Sequence, residues 1–134
     1  MNENFIGFEK NIFYECIKNE TSILEQDKKV LLKQYDDCVH YIEVTEKGFY
    51  DNICISKECS KLQCNDFTFG SVYIEFEKSK SALSMEVFVQ NGYIKLIEFY
   101  SYSEQWDGRI TNYNIFLVSD NGELSFLKKV NVSN

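Results

Sequence analysis

The 134-residue sequence contains no proline, one histidine (His40) and one tryptophan (Trp106). Without proline, no segment is excluded from a central strand by a missing backbone donor. No apolar run approaches the ~20 residues of a membrane-spanning helix. The first four residues carry a glutamate and no basic residue, so no secretory signal is predicted. We therefore expect a cytoplasmic protein with no membrane partner.

Motifs that would indicate a reaction or a cofactor are also missing. The chain has no phosphate-binding loop, no local nucleophile–base pair and no set of four closely paired zinc ligands. His40 would have to serve any mechanism that needs an imidazole base. A lone histidine where a helix gives way to a strand is more typical of structural hydrogen bonding. The sequence thus predicts no enzyme, no metal site and no cofactor.

The five cysteines do not form a recognisable framework. An odd number argues against complete disulfide pairing, and reduced thiols are expected in the cytoplasm. Three of them recur at intervals of five, but structural zinc favours tight pairs such as Cys-x₂-Cys. We predict that all five are reduced and metal-free: Cys16, Cys38, Cys54, Cys59 and Cys64.

Negative charge predominates in the composition. Fourteen lysines and arginines against 21 aspartates and glutamates give a formal net charge of −7. This balance argues against nucleic acid as partner, because phosphate binding needs clustered cations. The charge either serves solubility alone or steers the protein toward a basic partner protein.

Helical periodicity predicts two N-terminal helices, at residues 5–20 and 23–38. Ser22 and Glu25 fit a capping box at the start of the second helix. The predicted buried positions of the first helix are Phe8, Ile12, Phe13, Cys16 and Ile17, and those of the second are Leu24, Leu31, Tyr35 and Cys38.

Extended segments follow the helices, at residues 39–44, 49–55, 67–77, 84–90, 93–102, 113–119 and 123–127. Asn91-Gly92 fits the two positive-φ positions of a type I′ turn, so the fourth and fifth segments should form a tight hairpin. The tail from residue 128 is expected to be loose. Helices followed by strands predict one α+β domain over residues 1–134. Its two N-terminal helices should pack on one face of a mostly antiparallel, meander-like sheet.

Candidate binding residues fall into two groups that combine aromatic and acidic side chains. Trp106 is either a surface anchor or a residue that closes the end of the sheet. The groups are Tyr102, Glu104, Trp106 and Asp107 in a long loop, and Tyr73, Glu75 and Glu77 on a strand. Glu98 also stands out, because it interrupts an apolar strand; a hydrogen-bonded or edge-facing role is the favoured reading.

Four sequence blocks resemble small bacterial immunity proteins of polymorphic toxin and contact-dependent growth inhibition systems. They are LLKQ (31–34), VTEKGFY (44–50), FGSV (69–72) and VQNGYIKLIEFYSY (89–102). The resemblance implies a protein that binds a cognate toxin domain and occludes its active site or substrate entry. An acidic protein suits a basic, nuclease-type toxin. Two alternatives remain open: a small ligand-binding or regulatory module, and a small enzyme that uses His40 or Glu98.

Overall fold

A computed structural model describes residues 3–102 and 105–132. Within these residues two helices come first, α1 (Glu3–Asn19) and α2 (Glu25–Asp37). Eight strands follow in the same part of the chain: β1 (Val39–Thr45), β2 (Gly48–Cys54), β3 (Phe67–Phe69), β4 (Val72–Phe76), β5 (Ala82–Gln90), β6 (Tyr93–Tyr100), β7 (Tyr113–Val118) and β8 (Leu124–Val130). The predicted α+β class is confirmed.

The strands form an antiparallel sheet in the order β1-β2-β6-β5-β4-β7-β8, and β3 pairs with β5 beside that path. Three hairpins expected from the sequence are present: β1–β2, β5–β6 and β7–β8. The joins between β2 and β6 and between β4 and β7 link strands that are distant in sequence. These two joins turn separate hairpins into one meander-like sheet.

The Asn91-Gly92 turn joins β5 and β6 as predicted. Both residues have positive φ, 55° for Asn91 and 82° for Gly92, as a type I′ turn requires. A Cβ at Gly92 would lie 2.4 Å from the carbonyl oxygen of Leu62, so the turn also supports the loop between β2 and β3. A bulge after Phe88 shifts the register of the hairpin by one residue.

The helices cover one face of the sheet. The predicted stripe of α1 is buried, and its Phe8 ring packs 5.6 Å from Phe76 and 5.3 Å from Phe99. In α2, Leu31 and Tyr35 are buried as expected. No helix within residues 3–102 and 105–132 has the length and apolar character to cross a membrane.

Some local predictions at the second helix were wrong. The capping box does not form, because the Ser22 hydroxyl donates to the Glu20 carboxylate and the helix begins only at Glu25. Leu24 is the N-cap residue; it is 64% exposed and is not part of the buried face. Cys38 ends the helix and is only partly buried.

Strand boundaries also differ from the prediction, most clearly in residues 67–77 and in the C-terminal segment. The single strand predicted for residues 67–77 breaks at Gly70, where a Cβ would lie 2.3 Å from the carbonyl oxygen of Met85. The tail predicted to be loose instead continues β8 to Val130, and the Val132 amide donates to the Asn112 side chain. Lys129 in this segment pairs with Glu77 at 3.1 Å.

Candidate functional site

The face of the sheet turned away from the helices, called the outer face below, carries a central group of polar and aromatic side chains. Glu98 of β6 lies opposite Tyr50 of β2 on one side and opposite Glu86 of β5 on the other. Successive side chains on a strand point to opposite faces. The residues flanking the two glutamates in sequence are buried toward the helices: Met85, Val87, Ile97 and Phe99.

Glu86 and Glu98 form an uncompensated pair of like charges. They are directly paired across β5 and β6, a position where two carboxylates destabilise a sheet. Neither forms an ion pair with a lysine, arginine or histidine anywhere in residues 3–102 and 105–132. Both are half-exposed, so a cation from outside the chain can reach them.

An aromatic depression lies next to this pair. Ser84 of β5 is flanked by Tyr100 of β6 and Tyr73 of β4. Together with Tyr102, which is 78% exposed, these residues line an open cavity of about 170 Å³. The remaining lining residues are Lys80, Ser81, Ala82 and Ser101.

The tyrosines and the glutamates are electrostatically connected. The Tyr100 and Tyr102 rings meet edge to face, with centroids 5.1 Å apart and hydroxyl oxygens 3.2 Å apart. Burial, the contact with Tyr102 and the charges of Glu86 and Glu98 raise the pKa of Tyr100. The Tyr100 hydroxyl therefore stays protonated and available as a donor. We call Tyr73, Glu86, Glu98, Tyr100 and Tyr102 the outer-face patch.

The chemistry of this patch fits a cationic side chain. Carboxylates pair with lysine and arginine, and tyrosine rings attract cations over their faces. Tyrosine is also one of the residues enriched as an anchor in protein interfaces. The outer-face patch is thus suited to a basic protein surface.

The structure brings together part of the predicted binding set. Tyr73 and Tyr102, which the sequence assigned to two separate groups, line the same depression. Glu75 lies on the same face, opposite Ala82. Glu77 pairs with Lys129 and lies beside a different cavity.

Trp106, in the loop before β7, does not lie at the surface, so it is not the surface anchor that was one of its two predicted roles. Trp106 is only 6% exposed, and its ring lies 5.9 Å from those of Phe5 and Phe49 and 6.1 Å from that of Phe76. It closes the end of the core, which was the other role considered for it. Asp107 is exposed and accepts a hydrogen bond from the Arg109 amide. Glu104 lies outside the described residues.

His40 belongs to a second polar group, on the buried face of the sheet. Its Nδ1 lies 2.5 Å from Oδ2 of Asp51 and 3.6 Å from Oε1 of Glu9. The Tyr35 hydroxyl donates to Glu9 Oε1 at 2.9 Å, and the Tyr41 amide donates to Asp51 Oδ1 at 2.9 Å. Glu9 and Asp51 are fully buried. We call Glu9, Tyr35, His40 and Asp51 the buried cluster.

The electrostatics of the buried cluster favour a neutral Glu9. Burial and the nearby Asp51 carboxyl group raise the pKa of Glu9 well above its ordinary value, and the Tyr35 hydroxyl only partly opposes this. Glu9 Oε2 has no hydrogen-bond partner among the described residues. This buried oxygen is the unsatisfied part of an otherwise hydrogen-bonded group.

Cys38 lies beside the cluster but is not arranged as a nucleophile. Its sulfur is nearly equidistant from the two nitrogens of His40, 3.6 Å from Nε2 and 3.9 Å from Nδ1. It therefore lies beside the ring and not in line with Nε2, as proton transfer would require. Burial and the nearby Asp51 and Glu9 raise the pKa of this thiol to about 12, the reverse of thiolate activation.

Other cavities lie at the helices. One of about 400 Å³ lies at the end of α1, between Cys16 and Ser71, and another of about 510 Å³ lies between the helices, near Tyr14 and Leu32. All five cysteines are free. Neither of these two cavities is lined by a histidine.

Sequence reasoning missed Glu9 and did not select Asp51, Glu86 or Tyr100. Asp51 is two residues from both Phe49 and Ile53 on β2 and so lies on the same face as these apolar residues, a signal that it faces the core. The pairing of Glu86 with Glu98 carried no such signal. A two-residue turn alone would place Glu86 opposite Ile97, and the bulge moves it by one position.

Three comparisons with known proteins give no match: no family model, no curated protein and no solved structure matches this chain. The chemistry available to the outer-face patch and to the buried cluster is therefore judged from their own geometry.

Proposed function

We propose that this chain is a bacterial immunity protein that binds a basic, nuclease-type toxin domain in the cytoplasm and covers its active site or substrate entry. The observation that supports this proposal is the uncompensated Glu86–Glu98 pair in the middle of the outer face. A sheet that carries two opposed carboxylates without an internal cation is locally unfavourable. Departures from local rules of this kind are expected at functional sites.

The chemistry of the partner follows from the composition of the patch. Nucleases hold phosphate groups with lysine and arginine, and the two carboxylates of the patch can occupy the same cations. The net charge of −7 would add long-range attraction to a basic surface. Inhibition would then need no catalysis by this chain, since an occupied cation cluster cannot bind a substrate phosphate.

The tyrosines would provide the anchor. Tyr102 is exposed beside the depression that Tyr73 and Tyr100 line, so an arginine side chain could pack among the three rings. Cation–π contacts are worth ~0.5–1 kcal/mol at exposed sites and ~2 kcal/mol when water is excluded. The resemblance of the sequence blocks to immunity proteins is consistent with this mode of binding.

Co-expression tests the proposal. The proposal requires a toxin domain encoded beside this gene, which is expressed alone and together with the chain; we expect growth arrest alone and rescue with the chain. The purified pair should form a stable complex on size-exclusion chromatography. Continued growth arrest with no complex would overturn the proposal, as would turnover of a small substrate by the chain alone.

Rate measurements test the surface. The double variant Glu86→Lys and Glu98→Lys should slow association more than 10-fold at low salt and reduce its salt dependence, because steering charges act on the association rate. Tyr102→Ala should chiefly speed dissociation. Glu58→Lys, in the exposed loop between β2 and β3, is the control for each single reversal, Glu86→Lys or Glu98→Lys, since each of these changes the charge by the same amount. Equal effects of the control and the double variant would exclude the patch as the interface.

A further inference from the structure

We propose that Glu9, His40 and Asp51 bind one divalent transition-metal ion, with Zn²⁺ as the representative, between α1 and the β1–β2 hairpin. The sequence predicts no metal site, because the cysteine spacing is not that of a zinc site and no set of four closely paired Cys/His ligands is present. The fold instead assembles two carboxylates and an imidazole from three elements. Their potential ligand atoms all lie within 4.8 Å of one another.

The distances suit a small ion after a modest adjustment. Metal–ligand bonds of ~2.0–2.2 Å in a tetrahedral site place the ligand atoms about 3.3 Å apart. The separation of 3.6 Å between His40 Nδ1 and Glu9 Oε1 is already close to this value. The 2.5 Å contact between His40 Nδ1 and Asp51 Oδ2 would open to about 3.3 Å as the ion takes the place of this hydrogen bond.

A second observation points to a ligand at this position. Glu9 is fully buried, and its Oε2 has no partner among the described residues. An unsatisfied buried carboxyl oxygen is costly. A cation that Glu9 binds with both oxygens, next to His40 and Asp51, would satisfy it.

The surroundings resemble the outer shell of a metal site. Metal-binding carboxylates are usually oriented by further hydrogen bonds. Here the Tyr35 hydroxyl donates to Glu9 and the Tyr41 amide donates to Asp51. His40 is 17% exposed at its side chain and offers an entry path from solvent.

The donor set selects the class of ion. Imidazole favours zinc, copper, iron and nickel, whereas sites of oxygen alone favour magnesium and calcium. One nitrogen and two carboxylates leave a fourth position for water, as in zinc sites with three protein ligands. The ion would fasten α1 to the hairpin and would not depend on the toxin partner.

Titration with Zn²⁺ tests the proposal directly. The protein is first stripped with chelator, and Cys54, Cys59 and Cys64 are replaced by serine so that the loop thiols cannot compete. We expect one ion per chain by calorimetry, with a dissociation constant of micromolar or below. A saturating excess of about 100-fold over that constant should raise the unfolding midpoint by about 10 °C. No binding at 100-fold molar excess over protein would overturn the proposal.

Variants identify the ligands. Asp51→Asn and His40→Gln keep the side-chain size and should weaken Zn²⁺ more than ~100-fold, beyond the ~10–100-fold typical of outer-shell partners. Tyr35→Phe should weaken it about 10-fold. Glu58→Gln, an exposed control, should leave it unchanged. Binding that survives both ligand variants, or that disappears when the loop thiols are replaced, would overturn the assignment.

A measurement on the unmutated ligands covers the case in which those variants do not fold. His40 is the only histidine, so in tag-free protein its imidazole signals are identified without mutagenesis. Addition of Zn²⁺ should shift the Nδ1 resonance by the large amount expected on ligation and leave Nε2 protonated. Unchanged imidazole nitrogens at saturating Zn²⁺ would exclude His40 as a ligand and overturn the proposal.

Discussion

A pair of carboxyl groups lies on each side of the sheet, and the two pairs differ in their burial and in their hydrogen-bond partners. On the helix side, Glu9 and Asp51 are fully buried and receive hydrogen bonds from Tyr35 and a backbone amide. On the outer face, Glu86 and Glu98 oppose each other with no cation from the described residues. Apart from Glu9 Oε2, the oxygens of the interior pair have hydrogen-bond partners, whereas the outer pair has no ion-pair partner among the described residues.

Solvent explains the difference. A buried polar group that loses its hydrogen bonds costs ~1–3 kcal/mol, so the fold has to supply partners for it. Opposed charges on a half-exposed face are screened by water and cost only a few tenths to ~1 kcal/mol. Because this cost is small, the sheet stays folded with Glu86 and Glu98 opposed, and both charges remain available to a partner.

The largest expected difference in stability is between variants of two aromatic residues, Trp106 on the helix side of the sheet and Tyr102 on the outer face. Trp106→Ala should lower the free energy of unfolding by ~3–5 kcal/mol, because it leaves a cavity among Phe5, Phe49 and Phe76. Tyr102→Ala should change it by less than ~0.5 kcal/mol, because that side chain is mostly exposed. Urea unfolding of both variants makes the comparison. Equal losses would contradict the distinction between core and outer face.

The next largest loss of stability is expected when the Glu9–Asp51 pair is disrupted. Asp51→Ala should lower the free energy of unfolding by ~3 kcal/mol, since it removes the partner of His40 and of the Tyr41 amide. Glu98→Ala is the matched change on the outer face and should not destabilise. Denaturant titrations in chelator give both values. An Asp51→Ala protein as stable as the wild type would mean that the buried cluster carries no net stability.

The pH dependence of metal-free protein sharpens the contrast. The folded-state pKa of Glu9 is raised, so its favourable contribution is complete below the unfolded-state pKa and is lost as pH rises toward the folded value. We expect wild type to lose stability relative to Glu9→Gln above about pH 4.5, by about 1.4 kcal/mol for each pH unit between the two pKa values. Unfolding midpoints from pH 4 to 8 provide the measurement. Parallel curves for the two proteins would show that Glu9 does not titrate abnormally.

The smallest expected effect is an increase in the free energy of unfolding. Glu86→Gln should raise the free energy of unfolding by ~0.2–1 kcal/mol, because it removes a like charge facing Glu98, and should weaken toxin binding. Glu58→Gln, the same change in an exposed loop, should do neither. Stability and binding are measured on the same preparations. A destabilised Glu86→Gln protein would indicate a structural role for the pair.

Much of the fold could be predicted from local pattern. The stripe of α1, the positive-φ turn at Asn91-Gly92 and the alternation of β4 are properties of short segments, and each is confirmed. The joins of β2 to β6 and of β4 to β7 could not be predicted, because they depend on packing between distant segments. The capping box failed because Glu20, a residue outside the motif, takes the Ser22 hydroxyl.

The candidate site was predicted only in part, for the same reason. Tyr73 and Tyr102 were selected by residue type, but their meeting at one depression depends on β5 lying between β4 and β6. The bulge after Phe88 decides that Glu86 faces Glu98. No sequence period reports such a bulge, so this pair became visible only in the folded sheet.

The position of Trp106 has a practical consequence. It is the only indole in the chain, and its ring is enclosed by aromatic side chains on the helix side of the sheet. Its fluorescence should therefore be blue-shifted in the native protein and move to longer wavelength on denaturation. A toxin docked against the opposite face would leave this emission largely unchanged. This single intrinsic fluorophore can thus follow folding of the chain in the presence of a partner domain that has no tryptophan, with no label attached.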